Sequence, residues 1–209
     1  MFPLGTVLLP AMVLPLHIFE ERYRVLVRHC LDGDRRFGIV LIERGSEVGG
    51  GEVRTDVGTV AEIAEAARFD DGRFALAAVG TERLRVNTWL EDAPYPRAEV
   101  EMWPDPSPDL ALRVDLDAAV ARLRRLLARL SELGHAVAPA TTELDDDLLL
   151  ATYQAAALAP LGPADRQRLL AAPDGSTRVR LLTELIDDEH DALDRIARLG
   201  SPPDDNPVD

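Results

Sequence analysis

Residues 103–109 read WPDPSPD, and three prolines in so short a stretch exclude both a helix interior and a central strand. The apolar pattern differs on the two sides of this stretch. Before it, short β-branched or Leu-rich runs are cut by Gly, Pro and Asp-Gly: 37–43 (FGIVLIE), 58–67 (GTVAEIAEAA), 73–79 (RFALAAV), 83–90 (RLRVNTWL) and 97–102 (RAEVEM). Leu84, Val86 and Thr88 alternate with Arg83, Arg85 and Asn87, which predicts a half-buried strand with its arginines outward. After it, apolar residues recur at spacings of three and four, the period of a helix face. The chain therefore reads as an α+β protein. Residues 1–104 are expected to form a twisted sheet or partly closed barrel with one helix, residues 105–200 a helical bundle, and residues 201–209 (SPPDDNPVD) a disordered tail.

The N-terminal run, FPLGTVLLPAMVLPLHIFEERYRVLV, carries no Asp, Glu, Lys or Arg until Glu20. It has no basic leader segment and no small-residue cleavage step, and Pro3, Gly5, Pro10 and Pro15 interrupt it too often for a membrane span. Two strands are expected instead, at 6–9 and 13–19, joined by a Pro10-Ala11-Met12 turn. Pro15 assigns the second to an edge or a bulge. Phe19, Tyr23, Leu26, Val27 and Cys30 then fall on one stripe of a helix that ends at Gly33. Glu20 is expected at the start of that helix, where a carboxylate is favoured, with Arg24 as its i, i+4 partner. In the second half, Ser107 with Pro108 reads as a helix start, with Leu116, Val120, Leu123, Leu127 and Leu130 inward as far as Gly134. A nearly all-apolar helix at 145–158 belongs at the centre of the bundle. A short helix opens at Pro163, and a last one at 177–199 turns Leu182, Leu185, Ile186, Leu193 and Ile196 inward.

Composition narrows the chemistry. All 23 basic residues are Arg, so a P-loop, a Schiff base and a Ser-Lys dyad are absent from these residues. The net charge is −14, and no basic stretch is free of acids, so neither nucleic acid nor an anionic membrane is expected as a partner. Cys30 is the single cysteine and lies on an apolar stripe, which fits a buried structural thiol. The four histidines are scattered, and DDEHD (187–191) reads as the solvated face of the last helix, so no metal and no cofactor are expected. The Gly-rich 45–52 stretch lacks the Lys and following helix of a phosphate cradle and reads as a hairpin loop.

Three pieces in order carry a family resemblance: the MFPLG start, the P-L-x-I-F-E-x-R-Y core from Pro15 to Tyr23, and D-G-R…G-x-x-R-x-x-V from Asp71 to Val86. Residues 2–102 resemble the N-terminal, substrate-binding domain of the ATP-dependent Lon proteases. The resemblance implies a PUA-like β-fold followed by a helical bundle, and peptide contacts made by the β-part. The sequence stops at Asp209, where ATPase and peptidase modules would follow in full-length Lon, and so is similar to the stand-alone Lon-domain proteins of bacteria. The expected function is non-catalytic, ATP-independent binding of unfolded or extended polypeptide segments, or of one protein partner, in cytoplasmic protein quality control. Binding would rest on apolar burial and pairing at a strand edge, with Pro10, Met12, Leu14, Phe19 and Trp103 as candidate contacts. Singly, Leu14, Phe19 and Trp103 also fit ordinary packing, whereas Met12 is expected to be exposed. The alternatives are a hydrolase with an interdomain active site and a scaffold for one fixed partner.

Overall fold

Apolar runs of strand length become six strands in one sheet, and the helical periods become five helices. The computed structural model describes residues 1–44 and 53–200. In chain order the elements are β1 (Phe2–Leu4), β2 (Val13–Ile18), α1 (Glu21–Asp32), β3 (Arg36–Arg44), β4 (Val53–Arg68), β5 (Phe74–Leu90), β6 (Arg97–Met102), α2 (Leu112–Glu132), α3 (Leu148–Leu158), α4 (Pro163–Leu170) and α5 (Gly175–Gly200). The strand order is β1-β3-β4-β5-β2, with β6 beside the second half of β5; β1 and β3 are parallel and every other pair is antiparallel. The sheet is open, since no pairing joins β1 to β2 among the described residues. The expected loop at 45–52 and tail at 201–209 lie outside the described residues.

Two expected strands merge and one dissolves. The runs at 73–79 and 83–90 form the single strand β5, with Gly80 inside it. A Cβ at Gly80 would stand 2.3 Å from the Leu9 carbonyl oxygen, so this glycine admits another segment rather than ending a strand. That segment is 6–9, which forms no strand. It passes between sheet and helices, with Leu8 in the cluster under α1 and Val7 and Leu9 in the core of the helical half. The Thr59 hydroxyl holds it by donating to the Leu8 carbonyl at 2.6 Å. β1 forms instead at Phe2–Leu4, and the turn at Pro10 and Ala11 follows, Ala11 with φ 64°.

The first core packs Tyr23, Leu26, Val27 and Cys30 of α1 on Leu16, Ile18, Phe37, Ile63 and Leu76 of the sheet. Phe19 is not on this stripe. Glu20 is extended (ψ 136°) at the N-cap position, so the helical period starts after Phe19 and its ring stays outside, 59% exposed. The same geometry pairs Glu20 with Arg22 at 3.0 Å, while Arg24 pairs with Glu21 and donates to the Gly72 carbonyl.

The second core joins α2, α3, α4 and α5, with α3 in contact with the other three. α2 starts later than expected because Asp109, not Ser107, caps it, accepting from the Ala111 and Leu112 amides. α3 likewise starts at Leu148, with Asp147 accepting from Leu150. Leu182, Leu185 and Ile186 are buried as expected, and Leu193 is partly so. Ile196 is exposed, beyond the Arg129–Asp194 ion pair that marks the last turn α2 shares with α5.

Candidate functional site

The candidate contact residues separate into two places. Pro10 and Trp103 line a cleft of about 340 Å³ between sheet and helices. Phe19 borders a groove of about 170 Å³ at the outer edge of β2. Met12 and Leu14 lie between them. Met12 is half-buried and packs against both cores, which corrects the expectation of an exposed side chain: the turn folds back between the two layers and gives the thioether neighbours on both sides. Leu14 is half-buried against the first core, and Pro10 is buried.

The cleft between sheet and helices is backed by a buried polar cluster that strand alternation misreads. Arg83 was expected outward on β5 but is 2% exposed, because that face of the strand meets the helices. Its guanidinium donates to the Leu170 and Ala172 carbonyls at 2.9 and 2.6 Å and to Asp105 at 2.9 Å. Arg178 of α5, fully buried, donates to the Leu169 carbonyl, the Thr152 hydroxyl, the Tyr153 hydroxyl and Asp105. Tyr153 in turn donates to the second oxygen of Asp105. Two buried cations thus share one carboxylate. The end of α4 supplies the remaining negative potential, since its last carbonyls lack helical partners and sit at the negative end of the helix dipole. Burial pushes the Tyr153 phenol well above its ordinary range and pulls the Arg83 guanidinium down. Trp103 closes the cluster: its amide donates to the Arg83 carbonyl, and the Arg83 and Arg85 guanidiniums lie 4.0 and 4.1 Å from its ring centre. Nearly all of these groups are satisfied by one another, so the cleft wall is structural.

The β2 edge has the opposite character. Leu16 and Ile18 point into the core, while Val13, Pro15 and His17 face out, Val13 58% exposed. Phe2 and Leu4 of β1 line the same groove as Leu16, Ile18, Phe19 and Glu20, so the two ends of the sheet border one largely apolar gap. Val13 and His17 were not among the candidate residues. The signal that could have found them is the uncharged run from Phe2 to Phe19 in a chain that is 29% charged.

Elsewhere, a groove of about 730 Å³ between α2 and residues 143–148 mixes Arg113 and Arg124 with four carboxylates and includes none of the candidate residues. Ser176 donates to Asp109 and His29 pairs with Tyr95; no serine–histidine hydrogen bond occurs among the described residues.

Residues 1–188 match the model of the ATP-dependent protease La (LON) substrate-binding domain. The chain is 26% identical over 194 residues to Lon protease 2 of Herpetosiphon aurantiacus, covering 91% of this chain and 24% of that protein. It spans about a quarter of the length of the curated Lon relatives of this kind. Among solved structures, the Lon N-terminal domain protein from Xanthomonas campestris superposes with a TM-score of 0.62 at 30% identity, over 87% of this chain and 94% of that one. The N-terminal domain of Mycobacterium avium complex Lon protease gives 0.62 at 18% identity, over 89% and 97%, a likeness of fold alone.

Proposed function

The chain belongs to the LON substrate-binding domain family, and from that premise we propose that it is a recognition module for polypeptide segments, working in cytoplasmic protein quality control without chemistry of its own. The observation that carries this reading is the exposed Phe19 at the mouth of a largely apolar groove whose one carboxylate, Glu20, is paired with Arg22. An exposed aromatic beside a groove is an anchor for a partner's apolar side chains, and its burial contributes roughly 1.5 to 3 kcal/mol. Leu14 and Phe19 are the contacts we retain from the candidate set; Pro10, Met12 and Trp103 act by holding the β-half against the helices. The absence of Lys from all 209 residues supports the non-catalytic, ATP-independent part of the reading. No helix of the described residues is long and apolar enough to cross a membrane.

The test is binding of reduced, carboxymethylated α-lactalbumin, a permanently unfolded protein, followed by fluorescence anisotropy. The intact chain binds it, and Phe19→Asp weakens binding about tenfold or more with an unchanged circular dichroism spectrum. Absence of binding by the intact chain would overturn the proposal.

A further inference from the structure

We infer that the polypeptide is held as an added strand along the outer edge of β2, with an apolar side chain entering the gap between β2 and β1. This rests on the segment-binding reading above and specifies the groups that perform it. The Gly80 amide donates to the Met12 carbonyl at 2.9 Å, one step before the Val13–Val79 pair, and the register then continues unbroken to Ile18–Phe74. Alternation of bonded and non-bonded pairs in an antiparallel ladder places Leu14, Leu16 and Ile18 in the bonded pairs with β5. The backbone groups of Val13, Pro15 and His17 therefore point away from the sheet. Because β2 pairs with β5 alone, these groups meet no strand among the described residues. They offer two donors, from Val13 and His17, and three acceptors, since Pro15 has no N–H.

Sheet edges in soluble proteins are usually shielded by charged side chains or by short, bulged strands. Here the shielding is a single proline, and the chain has no charged residue between Phe2 and Phe19. Glu20, at the end of the groove, is already paired with Arg22 at 3.0 Å, so the edge complements an uncharged segment: a strongly acidic or basic strand would find no unpaired counter-charge on β2 and would lose hydration in docking. The occupant is accordingly an extended, uncharged segment with a free N–H at every second residue and one apolar side chain for the groove lined by Phe2, Leu4, Leu16, Ile18 and Phe19. Recognition through backbone groups tolerates many sequences, and the missing donor at Pro15 keeps pairing short and reversible.

The probe is an uncharged eight-residue peptide of alternating threonine and valine with a central phenylalanine, labelled with fluorescein and titrated with the full chain. The central phenylalanine fixes the register by entering the groove. N-methylation of one alternate set of its amides weakens binding about tenfold or more, whereas N-methylation of the other set changes it less than about twofold. On the chain, His17→Pro removes one outward donor and weakens binding about tenfold, while His17→Ala keeps the donor and binds as the parent does. If His17→Pro does not fold, the N-methylated peptides decide alone. Equal effects of the two methylated sets, with Phe19→Asp still abolishing binding, would overturn strand addition and leave the segment-binding reading standing. Failure of both the peptide and unfolded α-lactalbumin to bind would overturn both. A concentration-dependent dimer by sedimentation, lost in His17→Pro, would assign the edge to a second copy and likewise overturn the inference.

Discussion

The junction between sheet and helices and the outer edge of β2 depart from ordinary patterning in opposite directions. At the junction, two arginines, an aspartate and a tyrosine are taken out of water; at the edge, a valine and a phenylalanine are left in it. Isolated departures of either kind are costly or idle, but their arrangement separates the two. The junction groups bond to one another and to the carbonyls of Leu169, Leu170 and Ala172, so nearly all of their hydrogen-bonding demand is met within the chain. The β2 edge groups meet no strand among the described residues, and under the strand-addition proposal their partner is the bound segment. A cavity by itself does not mark a binding site: the cleft at the junction is roomier than the groove at the edge, yet its polar wall is already occupied.

The largest effect should come from the carboxylate that both buried arginines share. Asp105→Ala leaves two desolvated guanidiniums without a counter-charge and is expected to lower stability by about 3–5 kcal/mol, read from urea unfolding. A loss under 1 kcal/mol would mean that the α4 carbonyls alone suffice, and the contrast between the two regions would shrink accordingly. Tyr153→Phe removes only the hydroxyl bridging Arg178 and Asp105, with an expected loss of about 1–3 kcal/mol in the same assay. Phe19→Ala sharpens the comparison from the other side, because an exposed ring removed from the surface should shift stability by no more than about 0.5 kcal/mol while weakening peptide binding. A large stability loss there would return Phe19 to the core.

A separate effect is a pH dependence confined to the first core. Burial holds the Cys30 thiol up at about 11, against an ordinary 9.0, so the folded chain keeps it neutral where the unfolded chain ionises it. The stability this contributes is complete below pH 9 and is lost as pH rises through 11. The denaturation midpoint of the parent chain is therefore expected to fall more steeply across that window than that of Cys30→Ala. Parallel slopes would show that the thiol is not buried against the sheet as described.

Much of the fold was legible because periodicity reports burial against water. α1 and α2 present continuous apolar stripes, Pro15 marked an edge strand, and the prolines from Pro104 to Pro108 marked where sheet gives way to helix. What failed were positions where one layer meets another. Gly80 looked like a break because its close approach to Leu9, distant in the chain but adjacent in space, is a tertiary fact. Arg83 looked exposed because alternation distinguishes two faces of a strand and not whether the second face is later covered. Arg178 was partly legible, since it stands four residues before Leu182 on the inward stripe of α5, a place where an arginine signals a buried partner. Leu14 was read onto β2 and Phe19 next to its end, whereas Val13 and His17, which the strand-addition proposal adds, would contribute backbone geometry, which no side-chain pattern encodes.

Amide hydrogen exchange measured with and without saturating unfolded α-lactalbumin tests most directly where a bound segment lies. Slowed exchange is expected at the Val13 and His17 amides, with no change from Trp103 to Asp105. Slowed exchange at the junction cleft with β2 unaltered would contradict this placement.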